Sequence, residues 1–274
     1  MPELPEVETV ARGVHERVAG SVIAAVWMGS RPQTFESPRP QIERTLTGSR
    51  VESVRRVGKT IVATLVREDS RRVEWLVHLG MTGRLVVCAG DAEREKHTHL
   101  VATLEDGREV RFVDPRRFGR IRVSEEPYMG PGTEPLTVGR AEFAELFRGR
   151  RLAIKAALLN QSLLHGVGNI YADESLFHAG IRPTRQAGRL TREELERLRL
   201  ALRRVLREAI KLGGSSVSDY VDAEGVRGFF QLRHMVYQRA GEPCRACKTP
   251  IRRIVLAGRS THYCPHCQAA LTRL

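Results

Sequence analysis

Four of the chain's five cysteines stand as Cys244-x2-Cys247-x16-Cys264-x2-Cys267, and this spacing limits what the C-terminal end can become. Two Cys-x-x-Cys knuckles so placed let four thiolates surround one zinc ion tetrahedrally. A stretch of about thirty residues cannot bury a core of its own, so the metal has to supply the folding free energy. The expectation is a zinc ribbon holding one structural Zn2+ on Cys244, Cys247, Cys264 and Cys267, with short strands from Gly241 onward. Two separate redox pairs are the other reading of the same cysteines. Cys88 stands apart and reads as a buried or idle thiol. Ribbons of this kind serve many functions, so the cysteines name none. Arg252, Arg253 and Arg259, between the knuckles, point toward phosphate contact.

Charge narrows the partner. Lys and Arg total 45 against 32 acidic residues, a net charge of +13 over 274 residues. A globular chain this basic usually meets a polyanion. A GC-rich coding sequence, which favours arginine, would give the same excess without one. No apolar run approaches the roughly 20 residues of a membrane helix, so no membrane partner is expected. Glu3 and Glu6 stand where a signal peptide would be basic. A cytoplasmic monomer is the expectation.

Hydrophobic periodicity divides the chain. Val7, Val10, Ala11, Val14 and Val18 recur at helical spacing, so Pro5–Val18 reads as a helix. Pro5 suits a first turn, and Glu6 and Glu8 complement the helix dipole. From Val22 to about Val123 the pattern is strands rich in Val, Leu and Thr, including Ser21–Trp27, Thr60–Arg67, Val73–Leu79 and Leu100–Leu104. Such a succession suggests a β-sandwich. Tyr128-Met129-Gly130-Pro131-Gly132 reads as a linker. Helical patterns follow at Ala141–Phe147, Ala153–Leu159, Asn169–His178 and Thr191–Leu212. Thr191 and Glu194 match a capping box. Arg197, Arg203, Arg204 and Arg207 on the polar face of that last helix read as solvated.

The start of the chain carries a chemical signal. Met before Pro is usually trimmed, which would expose the secondary amine of Pro2. An α-amine has a reference pKa near about 8, so part of it is unprotonated at neutral pH and can form a Schiff base with a sugar carbon. Glu3 lies beside it to move protons. Taken alone, the two residues read more readily as the mere beginning of a helix.

Met1-Pro2-Glu3-Leu4-Pro5-Glu6-Val7-Glu8-Thr9, Gly58-Lys59, His78-Leu79-Gly80-Met81-Thr82-Gly83, Asp114-Pro115-Arg116-Arg117-Phe118-Gly119, Gly166-Val167-Gly168-Asn169-Ile170-Tyr171-Ala172-Asp173-Glu174 and Ala257-Gly258-Arg259-Ser260-Thr261-His262-Tyr263-Cys264 occur in this order. With them the chain resembles the formamidopyrimidine-DNA glycosylases, bacterial repair enzymes for oxidised purines. Leu4 favours this branch over the endonuclease VIII branch, where Gly is typical. The resemblance implies an α+β multidomain fold: a catalytic β-sandwich with flanking helices over 1–127, a helix–two-turn–helix domain over 135–232, and a zinc-ribbon domain over 238–274. It implies a bifunctional glycosylase/AP lyase acting on 8-oxoguanine, formamidopyrimidines and abasic sites in double-stranded DNA, ending in β,δ-elimination.

The same resemblance implies roles for single residues. Pro2 attacks C1′ and Glu3 protonates the sugar ring oxygen. Lys59 sits beside the lesion phosphate and assists elimination. Arg259 contacts phosphate from the ribbon and donates the δ-elimination proton. Excision requires the nucleotide to leave the stack, and Met81, Arg116 and Phe118 fill the vacated space. Without the family, Met81 and Phe118 would read as core. Asn169 begins a helix whose N–H groups favour a phosphate. His78, His97 and Arg150 match further DNA-contact positions. Gly214–Phe230 corresponds to a loop that closes over the flipped base. Asn160 departs from the family's usual Asp, which puts any electrostatic role of that carboxylate in doubt. The alternatives are an endonuclease VIII-type enzyme for oxidised pyrimidines and a non-catalytic lesion-binding zinc-ribbon protein.

Overall fold

The computed structural model describes residues 1–30, 32–215, 223 and 228–270. These form two compact units, Met1–Met129 with Leu212–Phe229, and Gly130–Lys211 with Phe230–Leu274. Most of the expected base-capping loop over 214–230 lies outside the described residues.

The first unit opens with α1 (Leu4–Val18), whose buried Val7, Val10, Ala11, Val14 and Val18 form the stripe that the sequence predicts. Eight strands follow: β1 (Ile23–Met28), β2 (Arg50–Val57), β3 (Thr60–Val66), β4 (Arg72–His78), β5 (Arg84–Ala89), β6 (Thr98–Leu104), β7 (Arg108–Val113) and β8 (Arg120–Ser124). They make two four-stranded antiparallel sheets, ordered β1-β6-β7-β5 and β2-β3-β4-β8. Residues of both sheets and of α1 meet in one apolar core, which includes Val54, Trp75, Leu100 and Phe112. This is the expected sandwich, because each sheet hides one face against the other.

One element departs from the strand reading. Residues Arg39–Leu46 form a helix, α2, between β1 and β2. Pro38 at its N-cap and Pro40 in its first turn resemble turn punctuation in sequence, yet proline is tolerated at a helix start. Ile42, Thr45 and Leu46, spaced by three and four, bury its inner face.

The second unit contains α3 (Arg140–Phe147), α4 (Ile154–Leu158), α5 (Asn169–Ala179), α6 (Arg192–Lys211) and the hairpin of β9 (Arg252–Leu256) with β10 (Arg259–Tyr263). The α6 capping box forms as predicted: Glu194 N–H donates to Thr191 Oγ1 at 3.2 Å, and Thr191 N–H donates to Glu194 Oε2 at 2.8 Å. Almost every residue of α5 is buried, including Asp173 and Glu174. The Glu174 carboxylate accepts the N–H groups of Met235, Val236 and Tyr237 at 2.8–3.0 Å and so pins the chain that leads to the cysteines. No helix of the described residues is long and apolar enough to cross a membrane.

Candidate active site and metal centre

In the first unit the expected residues fall into three local groups. The first is the chain start. Pro2 is buried behind Met1, which is 52 % exposed. Glu3 is the N-cap of α1, its carboxylate accepting from the first turn while its own N–H donates to Glu6 Oε2 at 2.8 Å. The other Glu6 oxygen accepts Ser215 N–H at 2.7 Å. A Cβ on Gly214 would lie 2.8 Å from Glu6, so glycine is needed there for the approach. Glu6 thus ties the start of the helix to Gly214 and Ser215. The sequence suggested only its dipole role.

The second group pairs Lys59 with His78. Gly58, with φ of 63°, and Lys59 form the turn between β2 and β3. His78 closes β4 opposite Thr60 and accepts Gly80 N–H on Nδ1 at 3.1 Å. Burial, then the nearby Lys59 and Arg120 cations, push the His78 pKa down, which keeps the ring neutral at pH 7.

The third group is a pair of touching loops. A Cβ on Gly80 would lie 2.5 Å from the backbone of Phe118 and Gly119, so the two turns are in direct backbone contact. Asp114 ties them: it accepts Thr82 Oγ1 at 2.6 Å, Arg116 N–H at 3.2 Å and Gly119 N–H at 2.7 Å. Their tips are unusually exposed for apolar groups, Met81 at 39 % and Phe118 at 48 %. The Arg116 guanidinium lies 5.1 Å from the Phe118 ring centroid. Core packing is therefore not what these side chains do. His97 is exposed and its carbonyl accepts Asp114 N–H at 3.0 Å.

In the second unit, Asn169 begins α5 after Gly168, with Gly166 at φ of 90°. Gln161 holds that turn through Val167 O at 2.8 Å and Gly166 N–H at 2.9 Å. Asn160 Oδ1 accepts Ser162 N–H at 3.0 Å, an Asx-type turn that an amide serves as well as a carboxylate. The Asn169 side chain reaches Ser260 Oγ at 3.4 Å, next to Arg259. Arg259 is exposed at the start of β10, after a two-residue turn of Ala257 (φ 48°) and Gly258 (φ 71°). Arg150 is half-buried and donates from Nε to Leu146 O at 2.6 Å, so it caps α3.

Beneath these residues lies a buried network that the sequence did not disclose. Lys155 Nζ contacts Asp173 Oδ1 at 2.7 Å, Ser260 O at 2.7 Å and Thr261 Oγ1 at 2.8 Å. Asp173 Oδ2 accepts His262 N–H at 2.8 Å. Both charged side chains are essentially fully buried. The network links α4, α5 and β10, and it fixes the strand that presents Arg259.

The four cysteine sulfurs lie within 4.8 Å of one another. Cys247–Cys264 is 3.4 Å and Cys244–Cys267 is 3.9 Å. Zn–S bonds of about 2.3 Å place tetrahedral sulfurs about 3.8 Å apart, so the set fits zinc. Thr249 donors lower the Cys247 pKa to about 6, whereas burial and the crowded thiols raise that of Cys267. Four such thiolates need a cation to coexist.

Residues 1–121 match the formamidopyrimidine-DNA glycosylase N-terminal domain, 129–221 the H2TH domain of the same enzyme, and 241–270 a zinc finger found in FPG and IleRS. The chain is 46 % identical over 273 residues to a formamidopyrimidine-DNA glycosylase of Solibacter usitatus, covering 98 % of this chain and 99 % of that one. It is 45 % identical to one of Desulfitobacterium hafniense, covering 98 % and 100 %. The MutM (FPG) protein of Thermus thermophilus superposes with a TM-score of 0.86 at 41 % identity, covering 99 % and 100 %. A Lactococcus lactis FPG mutant bound to Fapy-dG-containing DNA superposes at 0.89 with 34 % identity, covering 98 % and 100 %.

Proposed function

The chain belongs to the formamidopyrimidine-DNA glycosylase family, a zinc-finger DNA glycosylase acting on damaged DNA, and from that premise we propose its mechanism and lesions. It excises 8-oxoguanine and formamidopyrimidines from duplex DNA and then cleaves the abasic strand. Loss of Met1 frees the Pro2 amine, which attacks C1′ of the damaged nucleotide. Glu3 protonates the ring oxygen O4′, the sugar opens, and the base departs with the bonding pair. The resulting iminium acidifies C2′, so β-elimination expels the 3′ phosphate and δ-elimination the 5′ phosphate. Lys59 and Arg259 hold the flanking phosphates, and Arg259 supplies the last proton. Asn169, His78, His97 and Arg150 position the backbone. Met81, Arg116 and Phe118 occupy the space that the flipped nucleotide leaves. Zinc, held by Cys244, Cys247, Cys264 and Cys267, supplies folding free energy to the hairpin that bears Arg259. The functional parts proposed are 1–127, 135–232 and 238–274.

The observation that carries this reading is the buried Glu3 carboxylate, fixed in a capping box directly beside Pro2. Borohydride reduction tests it, because it converts the iminium to a stable amine. The wild-type protein on an 8-oxoguanine duplex should give a covalent adduct, and a variant with an uncleavable extension before Pro2 should bind DNA without one. Undiminished trapping by the extended variant overturns the Pro2 assignment. A folded, zinc-loaded wild type that leaves both 8-oxoguanine and abasic duplexes uncut overturns the enzymatic reading.

A further inference from the structure

Several arginines at the surface of this protein are neutralised where they stand. Arg72 meets Glu52 at 2.7 Å, Arg84 meets Glu95 at 2.5 Å, and Arg148 meets Glu145 at 2.5 Å. The outer face of α6 gathers cations that are not, and sets them side by side. Leu200, Arg203, Arg204, Arg207, Glu208 and Lys211 line a shallow groove of about 440 Å3 there. Among the described residues, no carboxylate lies within ion-pair distance of any of its four cations. Arg203 Nε is buried without a hydrogen-bond partner, although nearly all such groups in folded proteins have one. Burial, then the neighbouring Arg207 and Arg199, push the Arg203 pKa down, against the opposing pull of Glu196. Arg203, Arg207 and Lys211 follow at intervals of four residues, a rise of about 6 Å each, comparable to the separation of successive phosphates on one strand.

We propose that the Arg203–Arg204–Arg207–Lys211 groove of α6 binds the phosphate backbone of a second segment of duplex DNA while the first is held for excision. The inference rests on the reading above, in which the first duplex lies at the N-terminal end of α5. Arg204 Nη2 meets His178 Nδ1 at 2.7 Å, in the last turn of α5 and nine residues from Asn169. That places Arg204 about 13 Å along the axis from the phosphate end of the helix, so a duplex seated beyond that end does not cover it. Charge complementarity selects a polyanion, and the regular cation spacing selects a repeating one over an acidic peptide. A second contact of this kind would let the enzyme pass between DNA segments without full release.

The test uses the full-length, zinc-loaded protein saturated with a short hairpin carrying an uncleavable abasic-site analogue. A labelled undamaged duplex is then titrated and followed by anisotropy, with native mass spectrometry for stoichiometry. The wild type should take up a second duplex. The R204A/R207A/K211A variant, confirmed folded by circular dichroism, should bind that duplex at least about tenfold more weakly, with a salt slope lower by about 2 to 3. Its single-turnover excision from a short lesion hairpin should equal that of the wild type. Absence of a second duplex on the wild type, or its retention by the variant, overturns the proposal. So does a polyglutamate peptide that binds the wild type and not the variant while the second duplex binds neither. Loss of affinity for the first hairpin instead would show that the groove touches the flank of the same duplex, which also overturns it. Failure of the wild type to excise from the lesion hairpin reports separately on the parent reading.

Discussion

At the scale of single residues, chemistry divides among side chains with different surroundings. Glu3 is buried and locked by the first turn of α1, which suits one well-placed proton transfer. Glu3→Gln keeps the side-chain shape but cannot donate to O4′. It should reduce excision of 8-oxoguanine by about 100-fold or more and retain part of its cleavage at a preformed abasic site, where no glycosidic bond remains. Single-turnover assays on the two substrates measure this, and normal excision by the mutant refutes the role. Phe118 is held at an exposed loop tip under Arg116. Phe118→Ala should slow excision of a stacked 8-oxoguanine more than abasic cleavage, because only the former must pay for unstacking. Equal slowing of both would make Phe118 a general contact. Pro2, Glu3 and Lys59 are legible as motif letters. Asp114 and Glu6 are not legible as organisers, because their partners, Thr82, Gly119 and Ser215, become neighbours only on folding.

At the scale of elements, two devices hold the segments that carry Asn169 and Arg259. The Lys155–Asp173 pair joins α4, α5 and β10 inside the second unit. Removing one partner leaves a buried charge unpaired. Asp173→Ala should therefore lower stability by about 3 to 5 kcal/mol, and Lys155→Met added to it should recover much of that loss. Urea unfolding of both singles and the double gives the coupling, and strict additivity would show that the pair is not linked. The zinc hairpin is the second device. Cys264→Ser, or chelation, should unfold β9–β10 and lower DNA affinity by displacing Arg259, with loss of about one zinc per chain. Full DNA affinity in a metal-free preparation contradicts this. The knuckle spacing announces the hairpin because four ligands on so short a segment have few other arrangements. The lysine and aspartate of the network lie far apart in sequence, and each alone looks like surface charge. The helix α2 stayed hidden for the opposite reason: its two prolines are local breakers, and its buried Ile42 and Leu46 show their value only against the core.

At the scale of the whole molecule, acid is the expected weakness. His234 is buried between the rings of Phe230 and Tyr237, each 5.5 Å away, and burial, with Arg245 beyond it, lowers its pKa to about 4. The unfolded chain binds this proton near the ordinary value of about 6.5. Stability is therefore complete above that value and declines as pH falls toward the folded value, by up to about 3 kcal/mol at pH 4. His78 and His178, also lowered, act in the same direction. Urea midpoints across this range should fall with pH, and His234→Phe should flatten the slope. An unchanged slope would place the acid sensitivity elsewhere.

What the sequence determined by itself is what local rules encode: the helical stripe of α1, the capping box of α6, the sandwich strands, and the four thiolates of the zinc site. Periodicity, caps and ligand spacing act over a few residues, so they survive reading without a fold. Only the tertiary structure decided which charges are buried and which exposed apolar groups are deliberate. Met81 and Phe118 stand out because two glycine turns meet, Lys155 and Asp173 turn inward because three elements converge on them, and Arg203, Arg204 and Arg207 lack an ion-pair partner among the described residues although Arg199 on the same helix meets Glu196. Burial and pairing depend on contacts between residues distant along the chain, and a linear sequence does not contain those distances.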